Sequence, residues 1–203
     1  GLRDCGARVL LADQERLESY LDLLQNHHPN EKHWSREERL AYWINAYNAF
    51  TVKLIIDHYP VGSIKDIKNG IPFVNTVWDI KFINIEGKEY DLNNIEHSII
   101  RPRFDEPRIH FAVNCASVSC PVLRDEAYTA DRLDEQLDDA ARSFLRDDLR
   151  NQVSRDQLRL SKIYTWYKGD FTKGRTLIEF LNQYTPVEIK AEAEIEYLDY
   201  NWQ

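Results

Sequence analysis

The chain has 203 residues, 43% hydrophobic and 12% aromatic, enough for one ordinary domain that needs neither metals nor disulfides to be stable and too rich in core formers to be a disordered tail. Lysine and arginine number 26 against 34 aspartates and glutamates, a net charge of −8, which speaks against a general nucleic-acid binder, since that would carry a basic stripe to meet the phosphates. No apolar run approaches the ~18 residues of a membrane span.

The elements are predicted in chain order. Leu17, Tyr20, Leu21 and Leu24 mark an amphipathic helix over Ala12 to Leu24, closed by the turn residues Asn26 to Asn30. Ser35-Arg36-Glu37-Glu38 is a capping box, after which Leu40, Trp43, Tyr47, Thr51 and Leu54 recur every three or four residues until Pro60. Ile44, Phe50 and Ile55 widen that apolar face, so this is the central buried helix. Ile64 to Pro72 reads as a loop with a single helical turn, and Trp78 to Phe82 alternates like a half-buried strand. Glu86-Gly87-Lys88 offers a hairpin turn.

Asn93 with Glu96 is expected to cap a short helix from Asn94 to Arg101, stopped by Pro102. Arg108 to Val113 is predicted as a strand, with Ile109, Phe111 and Val113 on one face. A loop follows from Asn114 to Pro121. Thr129 is expected to cap a helix whose stripe is Leu133, Leu137, Ala140, Ala141 and Phe144. Gln157 to Ser161 reads as a strand, Arg175 to Gln183 as a helix, and Ile195 to Tyr200 as an ill-defined last segment. Without a βαβ rhythm, repeat or linker, the expectation is a single compact α+β domain spanning 1–203, with a central buried helix and a small, mainly antiparallel sheet.

The loop Asn114-Cys115-Ala116-Ser117-Val118-Ser119-Cys120-Pro121 is the strongest candidate for chemistry. Proline favours the first position of a helix, so Cys120 is expected at a helix N-cap, where the dipole and free N–H groups would favour a thiolate. The same pattern also fits two small buried hydrophobes in a tight turn. A thiolate needs a base, and the sequence offers His97 and His110; His97 is preferred, with Glu96 or a distant asparagine as its orienter. His110 is expected on the polar face of its strand, beside a substrate, while His27, His28, His33 and His58 look solvated. Asn45 and Asn48 share one side of the central helix, where their amides either orient an imidazole or substrate or bind loop backbone. The aromatic run Tyr164-Thr165-Trp166-Tyr167, with Asp170-Phe171, either walls a groove or pins a loop to the core.

Together Trp43 to Phe50, Ile95-Glu96-His97, His110 to Ser117, Ser119-Cys120-Pro121 and Trp166-Tyr167 with Asp170-Phe171 resemble the family catalogued as domain of unknown function 547, over a core of about 35–171. The resemblance implies no established activity, but it groups the asparagine helix, His97 and the two-cysteine loop as one signature, and it leans toward an exported protein because bacterial members often look exported. Residues Gly1 to Leu10 do not fit the pattern, and the lack of methionine together with Gly1 at the start suggests a trimmed chain.

The reading that follows is a thiol-dependent hydrolase or acyl transferase acting on a small-molecule or peptide-like substrate. Cys120, His97, Asn45, Asn114 and Cys115 are assigned to catalysis; Asn48, Arg101, His110, Trp166 and Tyr167 to substrate. No cofactor is expected. Cys115, Cys120, His97 and His110 are zinc-ligand types, but their spacings match none of the usual zinc signatures, so no metal is assigned either. The alternatives are a non-catalytic binding module and a loop stapled by a Cys115–Cys120 disulfide.

Overall fold

The computed structural model describes residues 13–68 and 76–203. Ala12, Cys5, the first ten residues and the end of the Ile64 to Pro72 loop therefore lie outside the described residues.

Helix α1, Gln14–Asn26, buries Leu21 and Leu24 against helix α2, Arg36–Asp57. The capping box of α2 is formed: Ser35 Oγ accepts from the Glu38 N–H at 3.1 Å, and the Glu38 carboxylate accepts from the Ser35 N–H at 2.6 Å. Fifteen side chains of α2 are buried, Leu40, Ile44 and Ala46 completely. A helix apolar on nearly every side must be wrapped by the rest of the chain, and α2 is the axis of the first of two hydrophobic clusters. The hairpin β1, Ile83–Ile85, and β2, Lys88–Tyr90, packs on it. Both turn residues have positive φ, Glu86 at 46° and Gly87 at 77°, the geometry that two-residue hairpins require.

The second cluster gathers helix α3, Leu133–Leu145, with strand β4, Gln157–Leu160, and the short helices α4, Ile163–Trp166, α5, Lys168–Phe171, and α6, Leu177–Leu181. Strand β4 pairs antiparallel with β3, Gln152–Val153, and parallel with β5, Glu194–Tyr197, so this sheet is mixed while the hairpin is antiparallel. The class is α+β, as the sequence implies. Among the described residues no helix is long and apolar enough to cross a membrane.

Several local expectations are corrected. Trp78 to Phe82 is no strand: the Asp79 carboxylate accepts from both the N–H and hydroxyl of Thr76 at 2.7 Å and closes a 3₁₀ turn over Val77–Asp79, so pairing starts only at Ile83. The helix after Asn93 is a π-helix over Asn94–Ile100 that runs on into an α-turn, Arg101–Arg103, past Pro102. Leu92 and Asn93 already belong to the helical run, so Asp91 caps it, accepting from the Asn94 N–H at 2.6 Å, while the Asn93 amide donates to Asp79. Arg108 to Val113 is not a strand either. Pro107 sits in the first turn of a 3₁₀ helix, Pro107–Phe111, and the Glu106 side chain accepts from the Arg108 N–H.

No helix follows Cys120, so the sulfur is not at an N-cap and has no helix dipole behind it. Arg150 takes the Cys120 carbonyl that would have accepted the first helical N–H, at 2.6 Å, and also donates to Val118 O at 2.7 Å. Helix α3 starts at Leu133 rather than after Thr129, whose N–H is held by the Gln136 side chain. The aromatic run is helical in α4 and α5, with Tyr164 and Phe171 fully buried.

Candidate active site

The 3₁₀ helix Pro107–Phe111 joins the two clusters: Ile109 packs into the first and Phe111 into the second. His110, between them, is 2% exposed. It does not face solvent as an alternating strand would place it, because a 3₁₀ turn points successive side chains about a third of a turn apart. A cavity of about 400 Å³ opens beside it. The π-helix supplies Glu96, His97 and the adjoining Arg101; the cysteine loop supplies Cys115 and Cys120; Trp166 and Tyr167 come from the end of α4. Tyr47 of α2, Trp78, and Tyr200 and Trp202 of the last segment complete the aromatic walls.

A charged network stands behind the histidines. His110 Nε2 lies 2.8 Å from Asp170 Oδ2, and Arg101 grips the same carboxylate through Nε at 2.7 Å and a second nitrogen at 3.2 Å. Hydrogen bonding from His110, reinforced by the Arg101 guanidinium, holds Asp170 well below the usual carboxylate range. Burial holds the His110 imidazole below its ordinary value, so it is neutral at pH 7. An ionised Asp170 accepts, so Nε2 carries the proton and Nδ1 is the basic nitrogen. Nδ1 is buried and has no hydrogen-bond partner among the described residues.

Tyr167 lies flat against His110, ring centres 3.8 Å apart, and against the Arg101 guanidinium 4.9 Å from its centre. Its hydroxyl donates to Glu96 at 2.7 Å, and the Tyr47 hydroxyl bonds the same carboxylate. Burial and Glu96 push both phenols far up, so they remain donors at all accessible pH. His97 is exposed, its Nδ1 3.1 Å from an Arg101 nitrogen that donates to it.

Cys115 and Cys120 are joined as a disulfide, their Cα atoms 6.3 Å apart. Cys120 is 3% exposed and Cys115 half-buried. The loop between them is held to α2 by amides. Asn48 donates to Ala112 O and accepts from the Asn114 N–H, both at 2.9 Å. Asn114 bonds Pro121 O and the Ala116 N–H, which fixes Ala116 at a φ of 58°. Asn45 brackets the backbone of Tyr128 at 2.8 and 2.9 Å. Of the residues expected at the site, Cys115, Cys120, His97, His110, Arg101, Trp166 and Tyr167 therefore meet on one cavity, whereas Asn45, Asn48 and Asn114 lie outside its walls with their amides spent on backbone. Among the described residues, no group of three or more His, Cys, Asp or Glu is placed to hold a metal ion.

A family model described as "Protein of unknown function, DUF547" matches residues 31–145, more than half of the chain. The chain belongs to this family. The DUF547 match takes in α2, the π-helix, the 3₁₀ helix with His110 and the cysteine loop, and ends with α3, short of Trp166, Asp170 and Tyr200. No match was found among curated proteins or solved structures.

Sequence reasoning named Asp170 only with the aromatic run and gave it no partner, and it did not bring Tyr47, Trp78, Tyr200 or Trp202 to the site. Asp170 carries a faint signal, an acid set in an otherwise aromatic run; Tyr200 carries none, because a tyrosine in an ill-defined segment has no preferred address.

Proposed function

We propose that this DUF547 protein is a thiol-dependent hydrolase or acyl transferase whose substrate enters the cavity between the cysteine loop and the histidine network. The observation that carries the reading is that both sulfurs and both histidines line one cavity. Cys120 is the nucleophile. Its sulfur accepts the Cys115 N–H at 3.0 Å and the Tyr200 hydroxyl at 3.4 Å, donors that would hold a thiolate once the bridge is reduced. His110 is the base in preference to His97. The Asp170 carboxylate fixes the tautomer that leaves His110 Nδ1 unprotonated, whereas the Nδ1 of His97 is occupied by Arg101. His97, Trp166 and Tyr167 then hold the substrate.

In this scheme His110 Nδ1 takes the Cys120 proton, the thiolate adds to a carbonyl carbon, and the tetrahedral adduct collapses to a thioester as that proton passes from Nδ1 to the departing leaving group. Water, or an acceptor nucleophile in a transferase, takes the acyl group and restores the thiol. The cycle starts from the reduced form. Reduced protein and its Cys120→Ala variant, treated with p-nitrophenyl acetate at neutral pH and followed by intact mass, test this. Acetylation confined to the wild type is expected, and slower acetylation in Asp170→Asn. Equal labelling of Cys120→Ala and wild type removes the nucleophile.

The bridge itself favours a second reading, a staple in a non-catalytic binding module. Closing so short a loop stabilises the fold by roughly 2 kcal/mol through the unfolded chain. Reduced protein that unfolds at a lower temperature yet takes up no acyl group on either cysteine would support it.

A further inference from the structure

The disulfide is asymmetric in access and in hydrogen bonding. Cys115 is half-buried while Cys120 is 3% exposed, so an incoming thiol reaches Cys115 first. The donors favour the other sulfur. Cys120 Sγ accepts the Cys115 N–H at 3.0 Å and the Tyr200 hydroxyl at 3.4 Å; Cys115 Sγ has only looser contacts, at 3.5 Å, with the hydroxyls of Ser117 and Tyr200. The fully buried Ser117 donates to the Tyr200 oxygen at 3.1 Å, which leaves the phenol proton free for sulfur.

Tyr200 is held in place by the chain around it. Asn201 pairs with Ser119 through N–H to Oγ at 2.9 Å and through its carbonyl at 3.2 Å, and the Gln203 carbonyl accepts from Val118. Its ring packs against both Trp166 and Trp202, with centres 4.7 and 4.6 Å away, and the two indoles contact each other at 5.8 Å. Burial pushes the phenol up to about 12, so it keeps its proton.

We propose that the bridge is a thiol–disulfide exchange site of fixed polarity, in which a small monothiol attacks Cys115 and Cys120 leaves as a thiolate stabilised by Tyr200. The electron pair of the attacking thiolate forms a new S–S bond to Cys115, the Cys115–Cys120 bond breaks, and its pair stays on Cys120. A second thiolate attacking the mixed disulfide releases the oxidised thiol dimer and leaves both cysteines reduced. Cys115 is thereby a site of S-thiolation, and Tyr200 acts directly on the reacting sulfur. The inference goes beyond acyl transfer and does not depend on it, because it concerns how the bridge opens, whatever the freed thiolate then does.

The test is a pulse of glutathione on the untreated protein, quenched with excess N-ethylmaleimide and followed by peptide mapping. Glutathione on Cys115 with maleimide on Cys120 is the expected outcome. Glutathione on Cys120, an even split between the two, or free thiols on Cys115 and Cys120 before the pulse overturns the proposal. Tyr200→Phe keeps the ring against its tryptophans and removes the hydroxyl. Losing one charge-assisted hydrogen bond to the leaving thiolate, at a Brønsted slope near one half, is expected to slow opening roughly 3- to 10-fold. It should also move maleimide labelling of Cys120 in the reduced protein to higher pH. A Tyr200→Phe rate equal to wild type, with thiolation still on Cys115, overturns the role given to Tyr200. Mapping the pulse reads this proposal and acetylation reads the acyl-transfer one, so either can fail alone.

Discussion

Asn48→Ala separates an amide that serves a substrate from one that fastens the cysteine loop. Asn48 is 8% exposed and makes two bonds of 2.9 Å, one to the carbonyl of Ala112 and one from the N–H of Asn114. Truncation leaves both backbone groups without a partner at the root of the loop. Each unsatisfied buried group costs about 1–3 kcal/mol, less whatever water recovers in the vacated space, so a loss of about 3 kcal/mol is expected. For a chain of this size that lowers Tm by roughly 6–12 °C. Urea unfolding of the oxidised protein, followed by far-ultraviolet circular dichroism, measures it. Asn48→Asp should do no better, because it keeps the acceptor but loses the donor and buries a charge. A loss below about 0.5 kcal/mol in Asn48→Ala would refute the clamp.

Three further outcomes are expected. The folded His110 imidazole sits below its unfolded value of about 6.5, so the unfolded chain takes up a proton that the folded one declines. The stability it allows is therefore full above about pH 6.5 and is lost as pH falls, and the depressed Asp170 adds a further loss below about pH 4. Urea midpoints falling from pH 8 to pH 5 in wild type, and falling less in His110→Gln, are expected; midpoints that rise toward acid contradict the neutral imidazole. Arg101→Lys gives up the two-nitrogen grip on Asp170 and the stack on Tyr167, and because the pair is partly exposed the expected cost is about 1 kcal/mol by denaturant titration, no change being the adverse result. Gly87→Val forces a branched side chain to a φ of 77° in the hairpin and should cost about 1–2 kcal/mol by the same titration; an unchanged midpoint would mean that the turn relaxes.

Helix α2 was legible in the sequence because three signals agree on it: a capping box at Ser35, apolar residues at helical spacing for six turns, and a proline beyond the end. The stripe of α3 and the Glu86–Gly87 turn were legible for the same reason, being local. The His110 segment was not. Apolar residues at 109, 111 and 113 satisfy a strand's alternation, and only Pro107 with the capping Glu106 tips the backbone into a 3₁₀ turn that buries the imidazole. The Cys120 N-cap failed because a proline permits a helix without supplying its hydrogen bonds, and Arg150, thirty residues away, took the Cys120 carbonyl. The members of the site could be picked out one by one, but not the pairing of His110 with Asp170 across sixty residues, since that is set by how α5 packs against the 3₁₀ helix.

The cavity is chemically expensive in a way that a packing role does not explain. His110 is 2% exposed with Nδ1 unpartnered among the described residues, an omission that costs about 1–3 kcal/mol where no water reaches it, amid the aromatic neighbours Tyr167 and Phe171. Glu96 is 6% exposed and is held mainly by two phenols. Groups that oppose stability in this way persist where their protonation or their lone pairs are used. The amides of Asn45, Asn48 and Asn114 show the contrast: each has both ends bonded to backbone, so their burial is accounted for by the loops they hold. Arg124, Tyr128 and Tyr164 also bury an unpartnered polar atom, so the open nitrogen marks out His110 only together with its place on the cavity beside the cysteine loop. That combination is why the proposal gives the chemistry to His110 and leaves the asparagines in the frame around it.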